Sequence, residues 1–118
     1  MKLILQTLIF LMAWKFAYAS EKYNLVYVEQ QGCFYCEIWD EEIAHIYPKT
    51  REGQFAPLIR LDKANYETRM DYVKPVVFTP TFILTKNSSE ISRVEGYIGD
   101  DLFWGMLEVM LKRETNYE

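Results

Sequence analysis

The chain has 118 residues, half of them hydrophobic and 16% aromatic, and carries a formal net charge of −4. That apolar content excludes a disordered chain, and the length allows one small domain with a single modest core. The acidic balance argues against nucleic acid or an anionic membrane surface as partner.

Residues 1–19 read as a secretory signal peptide. Lys2 supplies the positive start, Leu3 to Ala13 form an apolar run interrupted by Gln6 and Thr7, and Ala17-Tyr18-Ala19 offers a small-x-small cleavage site before Ser20. The run is shorter than the ~20 apolar residues that span a bilayer. A retained N-terminal anchor, for which the late Lys15 argues, is the alternative. Export to a bacterial periplasm is expected, with residues 20–118 as the domain. Losing the leader removes Lys2 and Lys15 and no acid, which takes the net charge from −4 to −6.

Leu25-Val26-Tyr27-Val28 is β-branched and aromatic, the composition of a buried strand, and Gln30-Gln31-Gly32 breaks it. From Cys33 to about Tyr47 the period becomes helical. Cys36, Trp39, Ile43 and Ile46 share one face, Glu37, Asp40, Glu41 and Glu42 occupy the other, and Pro48 marks the end. Lys49 to Gln54 read as a polar turn and Pro57 to Asp62 as a second strand. Lys63 to Lys74 are expected as a short helix, although its apolar pattern is thin. Thr79-Pro80 leads into a third strand, Thr81 to Leu84, and Asn87-Ser88-Ser89 turns it back into a fourth, Ile91 to Glu95. After Gly96 and Gly99, Asp100 is placed to cap a last helix on which Phe103, Met106, Leu107 and Met110 share a face.

The order is therefore β-α-β, a helical crossover, then β-β-α. The first two strands are expected to be parallel through a right-handed crossover. The hairpin adds antiparallel neighbours, giving an α/β fold with a mixed four-stranded sheet and helices on both faces. This is the core arrangement of thioredoxin and glutaredoxin folds, and a C-x-x-C opening the first helix is the pairing expected there.

Cys33 and Cys36 are the only cysteines. A bridge across so short a loop does little to constrain the unfolded chain, so redox chemistry is the better reason for the pair. Disulfide exchange needs an attacking thiolate, a second thiol to resolve the mixed disulfide, and access to the sulfurs. Cys33 suits the attack, because free N–H groups at a helix start favour a thiolate. Cys36, one turn inside, suits the resolution. Phe34 and Tyr35 bring no positive charge, and Glu37 and Asp40 oppose ionisation weakly, so a moderately activated thiol is expected. A structural zinc site wants four ligands, and only His45, roughly 18 Å along the helix at ~1.5 Å per residue, offers another. No metal is expected. A passive bridge is the remaining bland reading.

Thr79-Pro80 is the second candidate. A proline opening a strand can take a cis bond, and in this fold it packs against the cysteine pair. The residue before it presents backbone groups to an extended substrate, as in strand addition. An ordinary trans proline is the bland alternative.

The blocks VYVEQQGCFYCEIWDEEI, IYPKTREGQFAPLIRLD, KPVVFTPTFIL and RVEGYIGDDLFWGML resemble those of SoxS-type periplasmic thioredoxins, found with bacterial sulfur-oxidation systems, from about Leu25 to Leu111. The resemblance implies a thiol–disulfide oxidoreductase with Cys33 and Cys36 as the redox pair, Pro80 as the cis-proline and no cofactor. It also implies a protein thiol substrate in the sulfur-carrier machinery and electrons from a membrane thiol transporter of the CcdA or DsbD kind. A monomer is expected. Many relatives carry proline after the first cysteine, where this chain has Phe34. Tyr27 stands where thioredoxin has a buried acid, and the extra N-terminal β-α unit of thioredoxin is lacking. The alternatives are a glutaredoxin using Gly99-Asp100-Asp101 for glutathione, an apocytochrome c thiol reductase, and a Cu(I) carrier on the two thiolates.

Overall fold

The computed structural model describes residues 21–118 apart from Met70. The expected leader at 1–19 lies outside the described residues. Strand β1 (Tyr23–Glu29) is central. It pairs in parallel with β2 (Leu58–Asp62) and antiparallel with β3 (Thr81–Lys86), and β3 pairs antiparallel with β4 (Ser89–Glu95). The sheet order is β2-β1-β3-β4, the mixed sheet expected. Asn87 and Ser88 have φ of 51° and 70° and form the hairpin turn. Positive φ at both central positions matches the twist of the flanking strands. The Asn87 N–H donates to the Lys22 carbonyl at 2.8 Å, and the Lys22 N–H donates to Asn87 Oδ1 at 3.1 Å, tying the turn to the start of β1.

The period-2 alternation of β1 splits the core in two. Leu25 and Tyr27 point to one face and Val26 and Val28 to the other, and all four are fully buried. On the first face lie helix α1 (Phe34–Trp39) with the π turn that continues it (Asp40–Ala44), helix α2 (Arg51–Phe55), and helix α3 (Asp100–Glu114). An aromatic cluster joins them to the sheet. Trp39 meets Tyr27, Phe82 and Phe103 with ring centroids at 4.5, 5.2 and 5.8 Å. On the second face Val26, Val28, Leu61 and Ile83 are covered by Tyr66 and Val76.

Four local expectations need correction. The helix expected to run from Cys33 to about Tyr47 widens into a π turn after Trp39, so its phase slips by one residue. Tyr47 is buried in place of Ile46, which is exposed. Lys49 to Gln54 are not merely a turn. Thr50 Oγ1 accepts the Gly53 N–H at 3.0 Å and caps α2. The helix expected over Lys63 to Lys74 is reduced to one 3₁₀ turn at Tyr66–Thr68, so the second face receives no α-helix among the described residues. Helix α3 is capped at Gly99, with Asp100 as its first residue, and it buries Phe103, Leu107, Met110 and Leu111 while Met106 is exposed.

Gly53 and Gly105 make opposite demands. A Cβ on Gly53 would collide with the Tyr47 carbonyl, whereas one on Gly105 meets nothing within 4 Å. Gly53→Ala should therefore destabilise by about 1–3 kcal/mol through overpacking, and Gly105→Ala in α3 should stabilise by about 1 kcal/mol. Urea unfolding of the two variants tests this; shifts of the same sign would refute the packing assigned to α2.

Candidate active site

Three loops meet at one end of the sheet because of strand register. Val28 pairs with Thr81, and Thr81 pairs with Glu95. The C-terminal end of β1, the N-terminal end of β3 and the C-terminal end of β4 therefore lie side by side. They lead into residues 30–35, 76–80 and 96–99. The Gly96 N–H donates to the Pro80 carbonyl at 2.7 Å and fastens the last two loops together.

The first loop carries the cysteines. Gly32, at φ 79°, takes the left-handed turn that starts α1. Cys33 is the N-cap, and its C=O accepts the Glu37 N–H at 3.2 Å. Cys33 and Cys36 form a disulfide with Cα atoms 5.2 Å apart, and the Cys36 N–H donates to Cys33 Sγ at 3.2 Å. Cys33 is half-buried and Cys36 is 4% exposed, so the first sulfur is the reachable one. A cap position gives Cys33 Sγ what an Asp or Ser oxygen receives elsewhere, an N–H donor that favours negative charge.

Beneath the pair, the Tyr27 hydroxyl donates to the Cys36 carbonyl at 3.1 Å in the buried core. Burial, and then the charges of Asp40 and Glu29, hold this hydroxyl far above its ordinary pKa. Tyr27 is thus a neutral donor. The Arg60 guanidinium lies 5.1 Å over its ring and is engaged at 2.6 Å by both Glu29 and Asp40. Its charge is balanced within this cluster.

The second loop holds Thr79 and Pro80. The Thr79–Pro80 peptide is cis, Pro80 is buried and Thr79 half-buried. Thr81 Oγ1 donates to the Phe78 carbonyl at 2.6 Å and closes the turn. The third loop carries Tyr97, whose hydroxyl donates to Glu42 Oε2 at 3.1 Å and is pushed up to about 12 by burial and by that carboxylate. At this end of the sheet, Phe34, Tyr35, Val77, Phe78 and Ile98 are all exposed, Ile98 to 80%. Val77, Phe78 and Ile98 are not among the candidate site residues of the sequence. The available signal was large apolar side chains in loops, outside any strand or helix period. His45 is exposed at the end of the π turn. Among the described residues no three His, Cys, Asp or Glu side chains gather as a metal site would require.

A family model for the thioredoxin-like domain matches residues 12–111. The chain belongs to the thioredoxin-like family. The periplasmic thioredoxin SoxS from Paracoccus pantotrophus, solved in its reduced form, is 43% identical, with a TM-score of 0.75 over 78% of this chain and 98% of that one. Thioredoxins from Fasciola hepatica (19% identical, TM-score 0.54, 80% of this chain and 82% of that one) and Thermus thermophilus (20%, 0.53, 77% and 75%) share the fold. No curated protein compared gave a match. With a C-x-x-C pair closed as a disulfide in this fold, the chain is a thiol–disulfide oxidoreductase.

Because Tyr27 stays neutral, it adds no titration to that exchange. Tyr27→Phe removes one buried hydrogen bond and should cost about 1 kcal/mol of stability. The pH profile of exchange should keep its shape across the neutral range. A moved midpoint would show that Tyr27 takes part in proton transfer.

Proposed function

We propose that this chain is an exported reductase of protein disulfides, serving cysteines of a periplasmic sulfur-oxidation partner. The observation that carries this reading is the 43% identity with a periplasmic thioredoxin, SoxS, over nearly all of that protein. Two features support it. Residues 1–19 have the layout of an export leader. The exposed apolar side chains at the Cys33 end of the sheet suit a polypeptide better than a small polar disulfide, since buried apolar area is what a docking protein gains.

The chemistry runs in two exchanges. With the pair reduced, the Cys33 thiolate attacks one sulfur of the substrate disulfide and releases the other substrate sulfur as a thiolate, which takes a proton from solvent. Cys36 then gives up its proton and attacks Cys33 Sγ, freeing the second substrate thiol. Two electrons pass to the substrate, and Cys33 and Cys36 are left joined. A membrane thiol transporter of the CcdA or DsbD kind would return the electrons. The roles follow from access, since Cys33 is reachable and Cys36 is not. Thr79, half-buried before the cis Pro80, is assigned to receive the substrate backbone.

Cys36→Ser should accumulate mixed disulfides through Cys33, whereas Cys33→Ser should accumulate few. Non-reducing gels of periplasmic extract read this directly, and equal trapping by the two variants reverses the assignment. A reduction potential near about −270 mV fits a reductase, while one near about −120 mV would make the protein a disulfide donor instead.

A further inference from the structure

The connection from β2 to β3, residues 63–80, is longer than the roughly 12–15 residues beyond which unstructured connections are uncommon in compact domains. Among its described residues it contains one 3₁₀ turn, and it leads into Thr79 and Pro80 at the end of the sheet where the cysteines lie. Something other than a local helix must hold it. Its backbone is fastened instead to the β3–β4 hairpin: Asp71 bonds the backbone of Ser88 and Glu90, and residues 73–75 are held by two side chains of β4.

Glu90 and Arg93 form a two-pronged ion pair, Nε to Oε2 at 2.7 Å and Nη2 to Oε1 at 2.6 Å. Their side chains are 4% and 7% exposed. Most of their remaining capacity goes to the connection, with Arg93 Nη1 also 3.8 Å from Glu95 Oε1. Glu90 Oε1 accepts the Val73 N–H at 3.0 Å, Arg93 Nη2 donates to the Lys74 carbonyl at 2.8 Å, and Nη1 donates to the Pro75 carbonyl at 3.4 Å. The next residue, Val76, is buried, and its N–H donates to the Tyr66 hydroxyl at 2.7 Å. Beyond it the Phe78 carbonyl is held by Thr81 Oγ1 at 2.6 Å, while the Val77 and Phe78 side chains stand exposed.

A buried ion pair is a poor source of stability, because desolvation offsets most of the attraction; an apolar pair of equal volume often does as well. What this pair has that an apolar pair lacks is three backbone partners in consecutive residues. Burial pushes the Glu90 carboxyl up, but Arg93 and the Val73 N–H outweigh it and hold the group below its usual range, so the pair is charged at neutral pH.

We propose that Glu90 and Arg93 are positioning residues for the redox site, holding residues 73–75 so that Val77 to Pro80 present one fixed docking edge to a protein substrate. The inference rests on the protein-substrate reading above. The pair touches neither sulfur, and it sets how well a polypeptide seats rather than how reactive Cys33 is.

The test compares reduction of insulin with reduction of hydroxyethyl disulfide by the full-length protein, wild type against Glu90→Gln and the apolar swap Glu90→Leu/Arg93→Met. Insulin kcat/KM should fall about tenfold, chiefly through KM, within the roughly 100-fold that a 1 Å misplacement can cost. The hydroxyethyl disulfide rate and the reduction potential should stay as in wild type, and amide exchange at Val76 to Thr79 should quicken. If the apolar swap fails to fold, Glu90→Gln, which keeps shape and loses charge, carries the same comparison. Parallel losses on both substrates, or an unchanged insulin KM, overturn the proposal. A wild type with no preference for insulin removes the protein-substrate reading, and this inference with it.

Discussion

The pairing of Val28 with Thr81 at the end of the two central strands is the constraint from which the site follows. Because β1 and β3 run antiparallel, the chain leaves β1 toward the cysteines at the same edge where it enters β3 from Pro80. The neighbouring pair, Thr81 with Glu95, adds the Gly96–Gly99 loop. A slip of one residue in this register would exchange the buried faces of the strand, and full burial on both faces leaves no room for it. The site is thus assembled by hydrophobic burial some residues away from the chemistry.

The electrostatics of the pair follow from what stands near it. The first turn of α1 holds Glu37 and no basic residue, and the Arg60 guanidinium below is spent on Glu29 and Asp40. The direct N–H of Cys36 on Cys33 Sγ is therefore the main local support for a thiolate. Helix α1 continues directly into the π turn, and it is its first-turn N–H groups that bear on Cys33. Tyr27, a neutral hydroxyl in place of a carboxylate, fixes the Cys36 carbonyl without adding negative charge beneath the resolving thiol. These features agree with a pair of moderate reactivity rather than a strongly polarised one.

Much of this was legible in the sequence, for identifiable reasons. The β1 and β3 runs are apolar on both faces, the Asn87-Ser88 pair tolerates left-handed backbone, and the cysteines fall where a strand period gives way to a helical one. What was missed depends on information outside a local window. A π turn changes the period in mid-helix, so extrapolation at 3.6 residues per turn put Ile46 where Tyr47 lies. Helix α2 is too short to show a period, and its one sign was Thr50 three residues before Gly53. The stretch Lys63 to Lys74 reads as a short helix with a thin apolar pattern, but Glu90 and Arg93 on another strand hold its later part. No pattern within residues 63–80 records those partners.

Strand β4 is also a margin of the sheet, with one side turned away from β3. Asp71 occupies the start of that side through bonds to Ser88 and Glu90, and the partly exposed Glu95, paired with the exposed Lys74, brings charge toward its end. Such an edge resists recruitment into a continuing sheet, since an incoming chain must strip water from fixed charges before it can zip on. The domain can therefore display a greasy rim at one end while its flank stays inhospitable to amyloid-like stacking.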